Sequence, residues 1–261
     1  MTTMLLHTDL GHDPDDAIAI ALLCEYGYIP DELVLHPGYH DQISIASRIY
    51  NQYSLLGHPP ISCTKLDCDD SKYNAGKHSV FLTKLTHRFV RYPMPDNFVV
   101  NRALVIGPPL GLGDIECDQL FMQGGYSPNS VIQLEKFIGM KAVPSYNPNG
   151  AKKDFNKIIE SKKIKEKNFI GKNVCHGFTK EKLRSIWQPQ INHSFYPVTS
   201  LVKTFWDKLD DSKAMHDVLA AILFIDKEKG IWEKTKPTWI DGKLTTEPTD
   251  EEIYTLIGLR I

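Results

Sequence analysis

Four carboxylates fall within eight residues near the amino end of the chain, in Thr8-Asp9-Leu10-Gly11-His12-Asp13-Pro14-Asp15-Asp16. Like charges at this density repel one another strongly unless something positive sits among them. A hard cation with oxygen ligands, calcium or magnesium, is the simplest partner. The pair Asp15-Asp16 alone would read as acids suited to a helix N-terminus and otherwise facing water. Four acids with an interposed Gly and Pro favour the metal site. A further acid stands far along the chain, in Met215-His216-Asp217-Val218-Leu219-Ala220. Alone, His216 would be a packed histidine at a helix start beside a capping Asp217. Histidine also titrates near neutrality, so His216 becomes a proton-transfer candidate if the fold brings it to the first cluster.

The elements that would position these residues alternate. Met4 to Leu6 reads as a buried strand that runs into the acidic loop, and Asp15 to Cys24 as a helix with its own acids at the N-terminus. Leu33 to His36 and Ile61 to Cys63 follow as strands, with a helix from Gln42 to Leu56 between them. Strand and helix in alternation build a parallel sheet with right-handed crossovers. Ala103 to Ile106 before Gly107-Pro108-Pro109, and Gln119 to Met122 before Gly124-Gly125, are apolar runs that stop at backbone-permissive residues, as ligand shelves do. Helices are read over 150–160, 179–187 and 212–224, and a strand over 168–171. The Ser161-Lys-Lys-Ile-Lys-Glu-Lys167 run is taken as a solvated corner, and Trp239 to Leu244 as a hairpin around Asp241-Gly242. In an open α/β sheet, ligands bind at the carboxyl ends of the strands, where the acidic loop falls.

Composition narrows the function classes. The 261 residues form one large domain, 1–261, with no repeat or linker; 42% are apolar and 24% charged, as in an ordinary water-soluble globule. The net charge of -2 gives no field to attract a polyanion or an acidic membrane, which disfavours nucleic-acid and membrane partners. Five scattered cysteines, none at C-x-x-C spacing, suit reduced thiols. With no long apolar run and no basic, apolar leader, the expected location is the cytoplasm. No Gly-Lys-Ser/Thr phosphate loop is present, and Gly107 to Gly113 does not have the dinucleotide-binding spacing.

The acidic segment resembles that of the calcium-dependent nucleoside hydrolases, the inosine-uridine-preferring nucleoside N-ribohydrolases, whose first strand leads into Asp-x-Asp-Pro-Gly-x-Asp-Asp-Ala. Further landmarks come in that family's order: Leu104-Val-Ile-Gly-Pro108, Phe121-Met-Gln-Gly-Gly125, Tyr146-Asn147, and Met215-His216-Asp217-Val218-Leu219-Ala220. The resemblance implies an open, mostly parallel, Rossmann-like sheet flanked by helices, and an enzyme that cleaves a nucleoside to free base and (deoxy)ribose. It implies Ca²⁺ held by Asp9, Asp16, Asp217 and the backbone carbonyl of Ile106, with Asp9 also accepting a proton from the attacking water. Asp15 or Asp13 would hold a ribose hydroxyl, helped by Asn147, His40 and Met122. His216 would stand near the base and assist its departure. Such enzymes are commonly homodimers or homotetramers. The chemistry is coherent, because breaking an N-glycosidic bond builds positive charge on the sugar, which nearby carboxylates stabilise.

Departures from the pattern are as informative. The family's first Asp is His7 here, and two residues are added to the loop; the Asp-Asp-Ala register favours Asp15 over Asp13 at the sugar. Pro37-Gly38-Tyr39-His40 replaces the Gly-Asn after the second strand, and Ser145-Tyr146-Asn147 replaces Glu-Phe-Asn, with Lys141 upstream. Losing a carboxylate beside a lysine leaves open a 5'-phosphorylated substrate as well as a plain nucleoside. A non-catalytic member that keeps only the metal is the other alternative.

Overall fold

The computed structural model describes residues 3–11, 13–52, 59–69, 91–131, 134–184, 206–207 and 209–260. Among them, ten strands form one sheet: β1 (Met4–Thr8), β2 (Glu32–Leu35), β3 (Ile61–Cys63), β4 (Tyr92–Pro93), β5 (Val99–Val105), β6 (Glu116–Gln123), β7 (Ile164–Ile170), β8 (Gly230–Ile240), β9 (Lys243–Pro248) and β10 (Ile253–Leu259). The helices are α1 (Asp15–Glu25), α2 (His40–Gln52), α3 (Tyr146–Gly150), α4 (Lys152–Glu160), α5 (Lys172–Gly177), α6 (Lys180–Arg184) and α7 (His216–Ile225). The strand order is β4-β3-β2-β1-β5-β6-β7-β10-β8-β9. Pairing is parallel from β4 through β10, and antiparallel where β8 joins β10 and β9 joins β8. This is the open, mostly parallel α/β sheet anticipated from the alternation of elements.

The apolar runs make strands because both faces of the sheet are covered, so neighbouring residues enter different cores. Leu6, Leu104, Phe121 and Ile170 belong to one core, with the apolar residues of α1 and α7. Leu5, Ala103, Val105, Leu120, Met122 and Phe169 belong to the other, with Phe155 and Ile158 of α4. Helix α1 is buried from Asp15 to Cys24 and α7 from Asp217 to Phe224, and the two pack on each other. Burial on all sides explains why neither helix carries a polar stripe. Arg102 on β5 closes the far end of α7, donating to the Phe224 carbonyl with its guanidinium carbon 4.0 Å from the Phe224 ring centroid. A cation is favourable at that end of a helix.

Several boundaries differ from the sequence reading. The charge run is no solvated corner: from Ile164 onward it is β7, paired on both sides with β6 and β10. Parallel neighbours satisfy its backbone, and Lys167 is buried with its ammonium donating to the carbonyls of Ile159 (3.0 Å) and Ser161 (2.7 Å). A long apolar stem with a polar tip allows this. Helix α7 begins at His216 rather than Ser212, α4 at Lys152, and α2 at His40. The expected ends of two helices, beyond Gln52 and beyond Arg184, lie outside the described residues. The Asp241-Gly242 hairpin is present, both residues having positive φ (49° and 75°), as a two-residue primed turn requires. The five cysteines are free, and no described helix is long and apolar enough to cross a membrane.

The topology also fixes where a ligand can sit. From β1 the chain first builds outward through β2, β3 and β4, then crosses to the other side of β1 to start β5. The connections leaving β1 and β5 therefore diverge, opening a crevice at their carboxyl ends.

Candidate active site

A cavity of about 530 Å³ occupies that crevice. Its floor comes from the loop after β1 and the start of α7. Thr8, the last residue of β1, donates its hydroxyl to Asp16 in the first turn of α1 and accepts from the Leu10 amide at 3.1 Å, which ties strand, loop and helix together. Asp15 Oδ2 accepts from the backbone amides of His216 (3.1 Å) and Asp217 (3.4 Å), so it caps α7. A carboxylate at a helix N-terminus is favourable, and this contact docks α7 against α1 where Asp217 meets the acidic loop. Asp15, Asp16 and Asp217 are 3%, 4% and 7% exposed, and each places a carboxylate oxygen within 4.8 Å of the other two.

Burial dominates the electrostatics of this floor, with the Lys213 ammonium opposing it only in part at Asp15. It pushes the carboxyls of Asp9 and Asp15 up to about 7, with repulsion from Asp13 adding to both. Asp16 and Asp217 are raised well above the usual carboxylate range, first by burial and then by the other acids. Asp15 Oδ1 is buried with no hydrogen-bond partner. Three converging buried carboxylates and an unsatisfied oxygen fit a hard divalent cation. Asp13 is the exception, since Lys213 pairs with it.

The second wall comes from β5, β6 and α3. Asn147 donates from Nδ2 to Gln123 Oε1 (2.6 Å) and to the Ile106 carbonyl (3.2 Å), joining the ends of both strands. Two glycines permit the approach. A Cβ on Gly107 would lie 2.7 Å from the Asp9 amide nitrogen and 2.9 Å from Asp9 Oδ1, and one on Gly124, at φ 146°, would lie 2.8 Å from the Pro148 ring. Tyr146 stands at the rim, 75% exposed.

The third wall is α5 and its neighbours. Lys172 and His176, one helical turn apart, both line the cavity. Lys172 donates to the Pro144 carbonyl at 2.9 Å, and Lys136 lies 2.9 Å from His176 Nδ1. The His176 ring meets His216 edge to face at 4.8 Å and Phe137 at 5.5 Å. Burial, helped by Lys136, Lys172 and Lys213, lowers His176 to about 4; burial, His176 and Lys213 lower His216 to about 3. Both rings are neutral at pH 7. The Nε2 atom of His216 is buried and unpartnered.

Of the residues anticipated from sequence, Asp9, Asp13, Asp15, Asp16, Ile106, Asn147, His216 and Asp217 line this one cavity. The oxygen trio contains Asp15, expected at the sugar, and does not contain Asp9, whose charge acts on Asp16 and Asp217 from beside Gly107. Two others do not line it. Met122 packs into the core on the opposite face of β6, so its neighbour Gln123 reaches the cavity instead. His40 opens α2, where buried Gln42 ties the preceding turn by accepting from the amides of Gly38 (2.9 Å) and Tyr39 (2.8 Å). Lys141 is exposed and outside the lining; the amine beside the Ser145 segment is Lys172. Gln123 had a legible signal, a polar residue ending an apolar strand before two glycines. Lys172 and His176 had none, since a lysine and a histidine four apart on a short helix look like any solvated face.

No protein-family model matches the sequence, and a search of curated proteins finds no match either. Solved structures do match over the whole chain. The inosine-uridine preferring nucleoside hydrolase from Bacillus anthracis superposes with a TM-score of 0.67 at 11% identity, covering 100% of this chain and 95% of that one. A plant nucleoside hydrolase gives 0.64 at 14% identity, covering 99% and 94%. The purine-preferring ribonucleoside hydrolase from Gardnerella vaginalis gives 0.60 at 14%, covering 99% and 94%. The chain has the nucleoside hydrolase fold. At such low identity the likeness is one of architecture, and the chemistry must be argued from the residues in the cavity. In the nucleoside hydrolase fold of this chain, those residues are a floor of buried acids, an amide-bearing wall, and a wall carrying lysine and histidine.

Proposed function

We propose that the protein hydrolyses the N-glycosidic bond of a nucleoside, releasing the base and the sugar, with Ca²⁺ held among Asp9, Asp16, Asp217 and the Ile106 carbonyl. The observation that carries this reading is the convergence of Asp16 and Asp217 within 4.8 Å of each other and of Asp15, in one cavity that Asp9 and Ile106 also line, at the crevice between β1 and β5. A divalent ion bound there would supply Lewis-acid charge that lowers the pKa of a water molecule and grips two sugar hydroxyls.

The remaining work falls to the chain. Asp9 accepts the proton of the attacking water as its oxygen bonds to the anomeric carbon. The bond to the base breaks with its electron pair going to nitrogen, and the acidic floor stabilises the positive charge that develops on the sugar. Asp15, Asp13 and Asn147 hold the ribose hydroxyls. His216, whose Nε2 is buried and unpartnered, is assigned to the base side in this proposal. In this reading Met122 and His40 keep to their packing and helix-start positions. Assembly into a homodimer or homotetramer belongs to the same proposal and is checked by sedimentation.

The test is base release from inosine, guanosine, adenosine, uridine and inosine 5'-monophosphate, with Ca²⁺ and with a chelator. Turnover of at least one nucleoside in preference to the monophosphate, abolished by chelation and restored by Ca²⁺, is expected. Calcium binding with no base released from any of the five would leave a binding protein and overturn the reading.

A further inference from the structure

The floor accounts for positive charge on the sugar, but the proposed reaction separates charge, and negative charge must build on the departing base. We infer that α5 receives it: the Lys172 ammonium and the Nε2–H of His176, held in that tautomer by Lys136, donate hydrogen bonds to the base as it leaves as an anion. This rests on the hydrolase reading and deepens it.

Four observations converge. Lys172 and His176 line the cavity from the end of β7, three places from β1 in the sheet, while the acids come from the loop after β1, the start of α1 and the start of α7. Lysine has only N–H groups to give, so the 2.9 Å contact makes His176 Nδ1 the acceptor and puts its single proton on Nε2. Edge-to-face packing on His216 at 4.8 Å and contact with Phe137 at 5.5 Å fix the plane of the ring beside the residue on the base side. The 2.9 Å bond from Lys172 to the Pro144 carbonyl anchors the ammonium and leaves two further donors on it. An ammonium in a cavity that stabilises a sugar cation would oppose the reaction unless an anion formed next to it.

The step balances. The bond from the anomeric carbon to nitrogen breaks with both electrons staying on the base, which departs as an anion on the two donors. Water oxygen bonds to carbon, its proton goes to Asp9, and that proton reaches the base through solvent. Lys172 and His176 are catalytic residues in this account, and Lys136 is a positioning residue.

The experiment compares inosine with p-nitrophenyl β-D-ribofuranoside, whose phenolate leaves without assistance. His176→Phe keeps the ring against Phe137 and His216 but removes the donor. It should cost about 100-fold in kcat/KM on inosine, the usual effect of losing one preorganised donor, and at least tenfold less on the p-nitrophenyl riboside. Lys136→Met should show the same selectivity with a smaller loss, and Lys136→Arg should restore it. Nitrogen-15 NMR of the wild type should show His176 protonated at Nε2, and Lys136→Met should mix the tautomers. Equal losses on both substrates, no loss on either, or a proton on Nδ1 in the wild type would each overturn the assignment while the hydrolase reading stands. Where the wild type splits another nucleoside of the panel better than inosine, that nucleoside takes inosine's place; if it splits none of them and not the p-nitrophenyl riboside either, the hydrolase reading fails and this role fails with it.

Discussion

The acidic floor and the α5 wall face the same cavity, yet the fold treats their charges in opposite ways. On the floor, Asp9, Asp15, Asp16 and Asp217 are desolvated and crowded together, so each carboxyl is pushed upward. On the wall, burial first and then the lysines around it press His176 downward, so the imidazole stays neutral and serves as an oriented dipole. One region gathers buried like charges; the other holds neutral rings among ammonium groups. The difference teaches that a site can prepare for charge separation by leaving one pole unsatisfied and fixing the other in advance.

The sharpest way to break this comparison is at Asp9. Asp9→Asn removes the proposed proton acceptor but keeps the shape, and it should lower kcat by about 10³-fold, within the range of a lost general base. A loss under tenfold would move the base elsewhere on the floor.

Metal linkage should give the next largest effect. Raised carboxyls hold protons in the folded protein that the unfolded chain releases, so their contribution is present in acid and is lost as pH climbs from about 4 through about 7. The lowered histidines His7, His36, His176 and His216 act in the opposite sense: the unfolded chain takes up protons first, so their contribution is lost as pH falls below about 6.5. A cation cancels only the carboxyl part. Calcium at a concentration 100 times its dissociation constant at pH 8 should therefore raise Tm by about 5–10 °C there, and the same concentration should raise it far less at pH 5, where protons compete for the floor and weaken binding. A calcium-induced shift of equal size at both values would mean that these acids are not its ligands.

Packing around the floor gives a third comparison. Gly107→Ala forces a methyl group against the Asp9 amide and should destabilise by about 2 kcal/mol, the scale of a crowded core, while slowing turnover. Gly242→Ala, in open space on the hairpin, should disturb stability through its positive φ but leave kcat unchanged. The smallest effect is expected on the amide wall: Asn147→Ala should raise KM by about tenfold, the equivalent of one good hydrogen bond, with kcat changed less.

Much of this was legible because it rests on local pattern. The apolar runs ending in Gly or Pro gave β5 and β6, the Asp241-Gly242 pair gave the hairpin, and the clustered acids after β1 gave half of the floor. Met122 and the first half of β7, Ile164 to Lys167, were misread for one shared reason: the side of a strand, and whether a charged stretch finds partners, depend on neighbours that sequence spacing does not reveal. A residue beside Gly124 is equally apt to face either core until the sheet's pleat is known, and Lys167 is hidden only because β7 lies between β6 and β10.

The sequence by itself determined that the chain alternates strand and helix and carries a segment of crowded acids at the end of its first strand, since both follow from side-chain periodicity and the spacing of near neighbours. Only the tertiary structure decided that Asp217 joins Asp15 and Asp16, that Gln123 rather than Met122 turns inward, and that Lys136 sets the proton of His176. Those are contacts between segments far apart in the chain, and their geometry comes from strand order, helix docking and the close approach allowed at Gly107, none of which leaves a mark at any single position.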